Sequence, residues 1–250
     1  MAEYIGLDWA KKGWFGVTLE DGNAPQADLY PSIQSVWKNH EDAERILIDI
    51  PIGLKDAGKR TCDVEAKERL KPHRQNSLFP TPVRKAVYAK TLEKAKEINE
   101  QYGFSVTNQA WSIALRIREV DEFLDQNPEA IGILRESHPE ICFAALNDGK
   151  PLEQGKSSDG GLASRKQILS GEDESLETVY RNAVKTFIDH PSWARRMSKN
   201  AKDDILDALV LAHTARMDEA NLRTLPDEPE SDSTKEKPLP IEIVSPSPRE

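Results

Sequence analysis

One aspartate interrupts an apolar run, Ile46-Leu47-Ile48-Asp49-Ile50-Pro51. A strand that is apolar on both faces is covered on both faces, so this run predicts a central strand in a layered α/β fold. A charge placed there costs several kcal/mol of desolvation unless a counter-charge or a metal meets it. The alternative is a strand-end aspartate that bonds a neighbouring backbone amide. Asp8 poses the same question. It ends the strand-like segment Tyr4-Ile5-Gly6-Leu7-Asp8-Trp9, whose hairpin partner Trp14-Phe15-Gly16-Val17-Thr18-Leu19 follows a tight turn at Lys11-Lys12-Gly13. For Asp8 the alternative role is capping that turn.

The remaining pattern gives the element order. Asp21-Gly22-Asn23 marks a turn before a short strand near residues 27–30, and Ser32 can cap a helix reaching Trp37. Helices are expected over residues 61–70, 91–101 and 109–124, the last with Ile113, Ile117, Val120 and Leu124 on one stripe. Residues 72–82 form a proline-punctuated loop. Residues 131–137 read as a late strand that leads into a helix through Leu146. A glycine-rich loop over 148–161 precedes helices at 162–169, 175–188 and 203–217. Six of the sixteen prolines fall in residues 226–250 among several acids, which predicts a disordered, acidic, proline-rich tail over 223–250. The expected domain is therefore 1–222 with a helical insert at about 55–128. An antiparallel start followed by later parallel strands predicts a ribonuclease-H-like mixed sheet flanked by helices.

The last helix opens with Asp203-Asp204-Ile205-Leu206-Asp207. Asp204 and Asp207 are three apart and share a face. Capping or the helix dipole accounts for Asp203 or Asp204, but not for Asp207, which lies among Leu206, Ala208 and Leu209. One acid on the first strand, one on a central strand and a pair on the last helix is the spacing of a divalent-metal nuclease. Such a set of hard oxygen ligands suits Mg²⁺ or Mn²⁺. A two-metal site would activate water for in-line attack at phosphorus without a protein nucleophile.

The chain resembles the family called domain of unknown function 429, regarded as predicted ribonuclease-H-like nucleases. The resemblance rests on Gly6-Leu7-Asp8, Ile48-Asp49-Ile50-Pro51-Ile52-Gly53-Leu54, Arg60-Thr61-Cys62-Asp63 with Ala66 and Lys67, and Ser77-Leu78-Phe79-Pro80-Thr81-Pro82-Val83-Arg84. It continues through Glu119-Val120-Asp121, His138-Pro139-Glu140 with Phe143, Lys156, Gly161 and Arg165, and ends at Asp203-Asp204-Ile205-Leu206-Asp207-Ala208-Leu209. Lys67 stands where arginine is expected and keeps the charge. Holliday-junction resolvases of the same superfamily look similar in that last segment. The resemblance implies the fold and an acid cluster of Asp8, Asp49, Asp204 and Asp207 that is both catalytic and metal-binding.

Charge adds a partner. The whole chain carries a formal −9 with a pI near 5.2, which argues against a protein that coats duplex nucleic acid non-specifically. Residues 55–96 nevertheless hold twelve Lys or Arg against five Asp or Glu. They form either a solvated helical surface or a local basic path along which DNA or RNA could reach the metals. Arg60, Arg74 and Arg84 are the leading phosphate contacts, and Lys156 and Arg165 join them from the family blocks. Glu140 is a further ligand, a supporting base or a helix-start acid. Asp203 is a further possible ligand. His138 reads as a hydrogen-bonded structural residue, and Asp63 as an ion-pair or capping partner of Arg60. Two cysteines, no leader and no membrane-length run fit a cytoplasmic protein with no membrane partner. Two other functions compete: a non-catalytic nucleic-acid-binding module of the same fold, and an actin-like or sugar-kinase-like ATPase, which would need a second domain and phosphate loop.

Overall fold

The computed structural model describes residues 1–232 and 237–248. Five strands form the main sheet: β1 (Glu3–Trp9), β2 (Trp14–Glu20), β3 (Gln26–Tyr30), β4 (Arg45–Ile48) and β5 (Leu134–Glu136), in the order β3-β2-β1-β4-β5. β1–β2 and β2–β3 are antiparallel, whereas β1–β4 and β4–β5 are parallel. This is the mixed sheet expected of a ribonuclease-H-like fold. Between β3 and β4 lies α1 (Ile33–Asn39), whose cap Ser32 accepts from the Ser35 amide. Between β4 and β5 lies the helical insert: α2 (Thr61–Arg69), α3 (Arg84–Val87), α4 (Leu92–Glu100), α5 (Asn108–Ser112) and α6 (Ala114–Gln126). After β5 come α7 (Pro139–Leu146), α8 (Asp159–Glu172), α9 (Ser175–Ala183) and α10 (Lys202–Arg216).

Strand periodicity decides which side chains meet which layer. Ile5 and Leu7 of β1 and Ile46 and Ile48 of β4 enter one core with α1 and α6, through Val36, Ile117 and Val120. Leu47 enters the opposite core with α10, through Ile205, Leu209 and Ala212. Gly6 is the point of closest approach on that side. A β-carbon there would lie 2.1 Å from the Ala208 carbonyl oxygen and 2.2 Å from the Ala212 nitrogen, so only glycine lets α10 lie on β1. Asp8, two residues after Gly6, and Asp49, two after Leu47, therefore face the α10 layer. The Asp49 amide donates to the Leu7 carbonyl and extends the β1–β4 pairing by one residue.

Two expectations need correction. The helix expected over 109–124 is broken at Ile113 (φ −106°, ψ 2°) into α5 and α6, and the Ser112 hydroxyl donates to the Gln109 carbonyl at the break. The tail is also not disordered where it is described. β6 (Leu222–Asp232) and β7 (Leu239–Pro246) form an antiparallel hairpin with an irregularity between Leu225 and Glu230. Its apolar residues Leu225, Ile241 and Ile243 pack on Cys62, Leu70 and Ile141. Proline content misled here. Pro226 and Pro229 sit in the irregular stretch, and the period-2 pattern Leu239, Ile241, Ile243 outweighs Pro240. The domain thus continues past residue 222; positions 233–236 and 249–250 of the expected tail lie outside the described residues.

Candidate metal centre

Asp8, at the end of β1, and Asp49, just after β4, reach the edge of the sheet where α10 begins. There α10 supplies Asp204 and Asp207. The cap position of α10 is Ala201, without a side-chain cap, so neither Asp203 nor Asp204 is a capping residue. Asp8 and Asp207 are buried, and Asp49 and Asp204 half-buried. Burial is the first cause that lifts the Asp8 carboxyl well above its ordinary range, followed by the negative charge of Asp204, with Asp49 and Asp207 adding to it. Asp49 rises to about 7 through burial and then Asp207. Asp204 rises to about 7 through burial and then Asp203. Asp204, Asp49 and Asp207 all act on Asp8, so the four acids form one electrostatic unit.

Lys156, from the loop before α8, is the counter-charge. Its Nζ donates to Asp207 Oδ2 at 2.7 Å and lies 4.0 Å from Asp203 Oδ2. It opposes the upward shifts of Asp8, Asp49 and Asp204, while Asp207 first, then Asp8 and Asp49, hold the lysine protonated against its burial. Lys11, in the β1–β2 turn at φ 62°, offsets Asp204 further. Among the described residues, no group of three or more His, Cys, Asp or Glu is arranged so that it could hold a metal ion as it stands. The donors nonetheless fit a hard divalent cation: all are carboxylate oxygens, and their mutual repulsion is what such a cation relieves.

Several expected contacts have other occupations. Arg60 is 1% exposed, and its guanidinium binds Asp63 and Glu136, the three lining the small cavity that also touches Asp8 and Asp49. Arg84 pairs with Asp121 and Asp232. Arg165 is fully buried against Glu140, at 2.5 Å, while Glu140 itself lines the groove beside Asp49 and Asp207 and keeps Oε2 without a hydrogen-bond partner. None of these three arginines is available to a phosphate, because acids from distant segments neutralise them. Asp63 is the ion-pair partner expected. His138 caps α7, its Nδ1 accepting from the Glu140 amide, and burial lowers its pKa so that the ring stays neutral. Arg74 alone of the insert's three candidate arginines lines the groove beside the acids, together with Lys156.

That groove, about 460 Å³, runs past Asp49, Asp207, Lys156, His73 and Arg74. It shares Asp49, Ser77, Phe79, Ile113 and His138 with a smaller cavity of about 180 Å³ that also touches Asp8. The walls from residues 77–81 carried no assigned role in the sequence reading. Their signal was present as the Ser77–Arg84 block, but a proline-rich loop has no periodicity from which to read its direction.

Residues 6–231 match the family described as "Protein of unknown function (DUF429)", and the chain belongs to that family. No curated protein and no solved structure matches the chain.

Proposed function

We propose that this member of the DUF429 family is a divalent-metal-dependent phosphodiesterase that cleaves nucleic acid, with Asp8, Asp49, Asp204 and Asp207 holding Mg²⁺ or Mn²⁺. One observation carries the reading: acids from the ends of β1 and β4 and from α10 converge, burial and mutual repulsion raise Asp8, Asp49 and Asp204, and, among the described residues, Lys156 is the one lysine bonded among them. A structural ion network ends in paired charges. This one retains an excess of negative charge beside an open groove, the condition that favours a bound cation.

Bound ions supply a nucleophilic water at neutral pH and stabilise the departing oxygen. The protein does the rest. The β1–β4 pairing fixes Asp8 and Asp49 side by side, and α10, seated on Gly6, sets Asp204 and Asp207 opposite them. Lys156, released from Asp207, offers its Nζ to a phosphate oxygen, and Arg74 at the groove wall orients the phosphate from outside. Neutral His138 keeps positive charge away from the acids. The partner is DNA or RNA, and a cytoplasmic setting fits the two buried free thiols. Among the described residues no helix is long and apolar enough to cross a membrane.

The test is a cleavage screen over single-stranded, duplex and branched DNA and RNA with Mn²⁺ or Mg²⁺. Asp8→Asn, Asp49→Asn and Asp207→Asn should each lose activity by about 10³-fold or more while keeping a native circular-dichroism spectrum. Full activity in Asp8→Asn, with contaminants excluded, sinks the reading. The Lys156–Asp207 pair favours a second reading, a non-catalytic nucleic-acid-binding module, because it partly neutralises the acids without metal. That reading gains if Mn²⁺ gives neither binding heat nor thermal stabilisation.

A further inference from the structure

We propose that the cavity beside Asp8 and Asp49 is a pocket for one nucleobase, so that this enzyme acts on an unpaired nucleotide rather than on a continuous duplex. The inference deepens the phosphodiesterase reading and rests on it.

Size is the first argument. The cavity encloses about 180 Å³, and a protein cavity of roughly 150 Å³ accommodates a benzene ring. One heterocycle fits, whereas a base pair does not. The walls match the faces of a ring: Trp9, Ile50, Phe79, Ile113 and Ile243 line it, and apolar and aromatic side chains are what extruded bases stack against. The cavity is not uniformly apolar, however: the ion-paired Arg60, Asp63 and Glu136 line it too, with Asp8, Asp49 and His138. Thr81 lines it, is 2% exposed, and its hydroxyl oxygen has no hydrogen-bond partner. An unsatisfied buried hydroxyl disfavours a plain hydrocarbon ligand and suits a ring with a polar edge.

Connection to the groove is the last argument. Cavity and groove share Asp49 and Phe79, and the groove continues to Asp207, Lys156 and Arg74. A ligand with its ring in the cavity extends its phosphate over the acids and toward the two cations. An apolar ring joined to an anionic group is the chemistry of a nucleotide. A paired base cannot enter without leaving its partner, so unpaired or easily unpaired positions are selected.

The test separates the pocket from the metal reading by using nucleosides, which carry no phosphate. Adenosine, cytidine, uridine and ribose are titrated calorimetrically into the full chain, metal-free and with Mn²⁺. Wild-type protein should bind at least one nucleoside and not ribose. Ile113→Trp, which fills the cavity, should weaken that binding about tenfold or more, and Thr81→Val should weaken it about 3- to 10-fold. Thermal unfolding verifies that both variants fold; if Ile113→Trp does not, Thr81→Val carries the test. Nucleosides binding no better than ribose, or unchanged in the folded variants, overturns the pocket. Nucleoside binding without any Mn²⁺ stabilisation upholds the pocket and overturns the phosphodiesterase reading.

Discussion

Asp49 and Asp204 each have an ordinary carboxyl value of 3.8 that the fold raises to about 7. Between those limits the folded protein holds protons that the unfolded chain has already released. These two groups therefore lower stability as pH rises from about 4 to about 7, and Glu136, which burial also raises to about 7, adds to the same slope. The metal-free protein should melt lower at pH 8 than at pH 5. In Asp49→Asn that slope should flatten, and the Tm at pH 8 should rise by about 2–4 °C for each kcal/mol of repulsion relieved. Saturating Mn²⁺ should reduce it in the wild type, leaving the part that Glu136 contributes. Calorimetric melts at the two pH values decide it, and a slope of opposite sign would refute the cluster's electrostatics. Asp49 and Asp207 could be singled out from sequence because an acid among Ile and Leu has few bland explanations. The roles of Arg60, Arg84 and Arg165 could not, since a basic residue looks alike whether it faces water or a buried acid.

At the scale of elements, the contact between α10 and β1 positions half of the acid set. Gly6→Val should push the helix off the strand, costing about 3 kcal/mol or more, beyond ordinary overpacking, because the obstacle is backbone and cannot repack. Chemical denaturation measures the loss. Mn²⁺ stabilisation should weaken in any folded fraction, because Asp204 and Asp207 move with the helix; a Gly6→Val protein with wild-type stability would show the contact to be dispensable. Element types and order followed closely from periodicity and turn chemistry, from the Lys11–Gly13 turn to the Ser32 cap. The break at Ile113 did not, because the apolar stripe runs through it without interruption.

Over the whole molecule, the β6–β7 hairpin closes the fold. Val244 bridges to Ser137 after β5, Asp232 accepts from the Leu54 amide, and Glu242 pairs with Arg135. A chain ending at Asn221 would expose Cys62, Leu70 and Ile141 and strip Arg84 of Asp232. It should be insoluble or lose cooperative unfolding, as read by size-exclusion chromatography and urea denaturation. A truncated chain that unfolds like the full one would show that the fold does not need residues 222–250.

The order of strands and helices as far as α10, the doubly covered β4 and the chain positions of the four acids were encoded locally, in residue spacing and turn chemistry, whereas the β6–β7 hairpin was not. Other features required the folded chain. Arg60 finds Glu136 across 76 positions, Arg84 finds Asp232 across 148, and Lys156 finds Asp207 across 51. The small cavity exists only where β1, the loop at 77–81 and β7 meet. Periodicity is a property of neighbours along the chain, whereas charge compensation and enclosed space are properties of segments that only packing brings together.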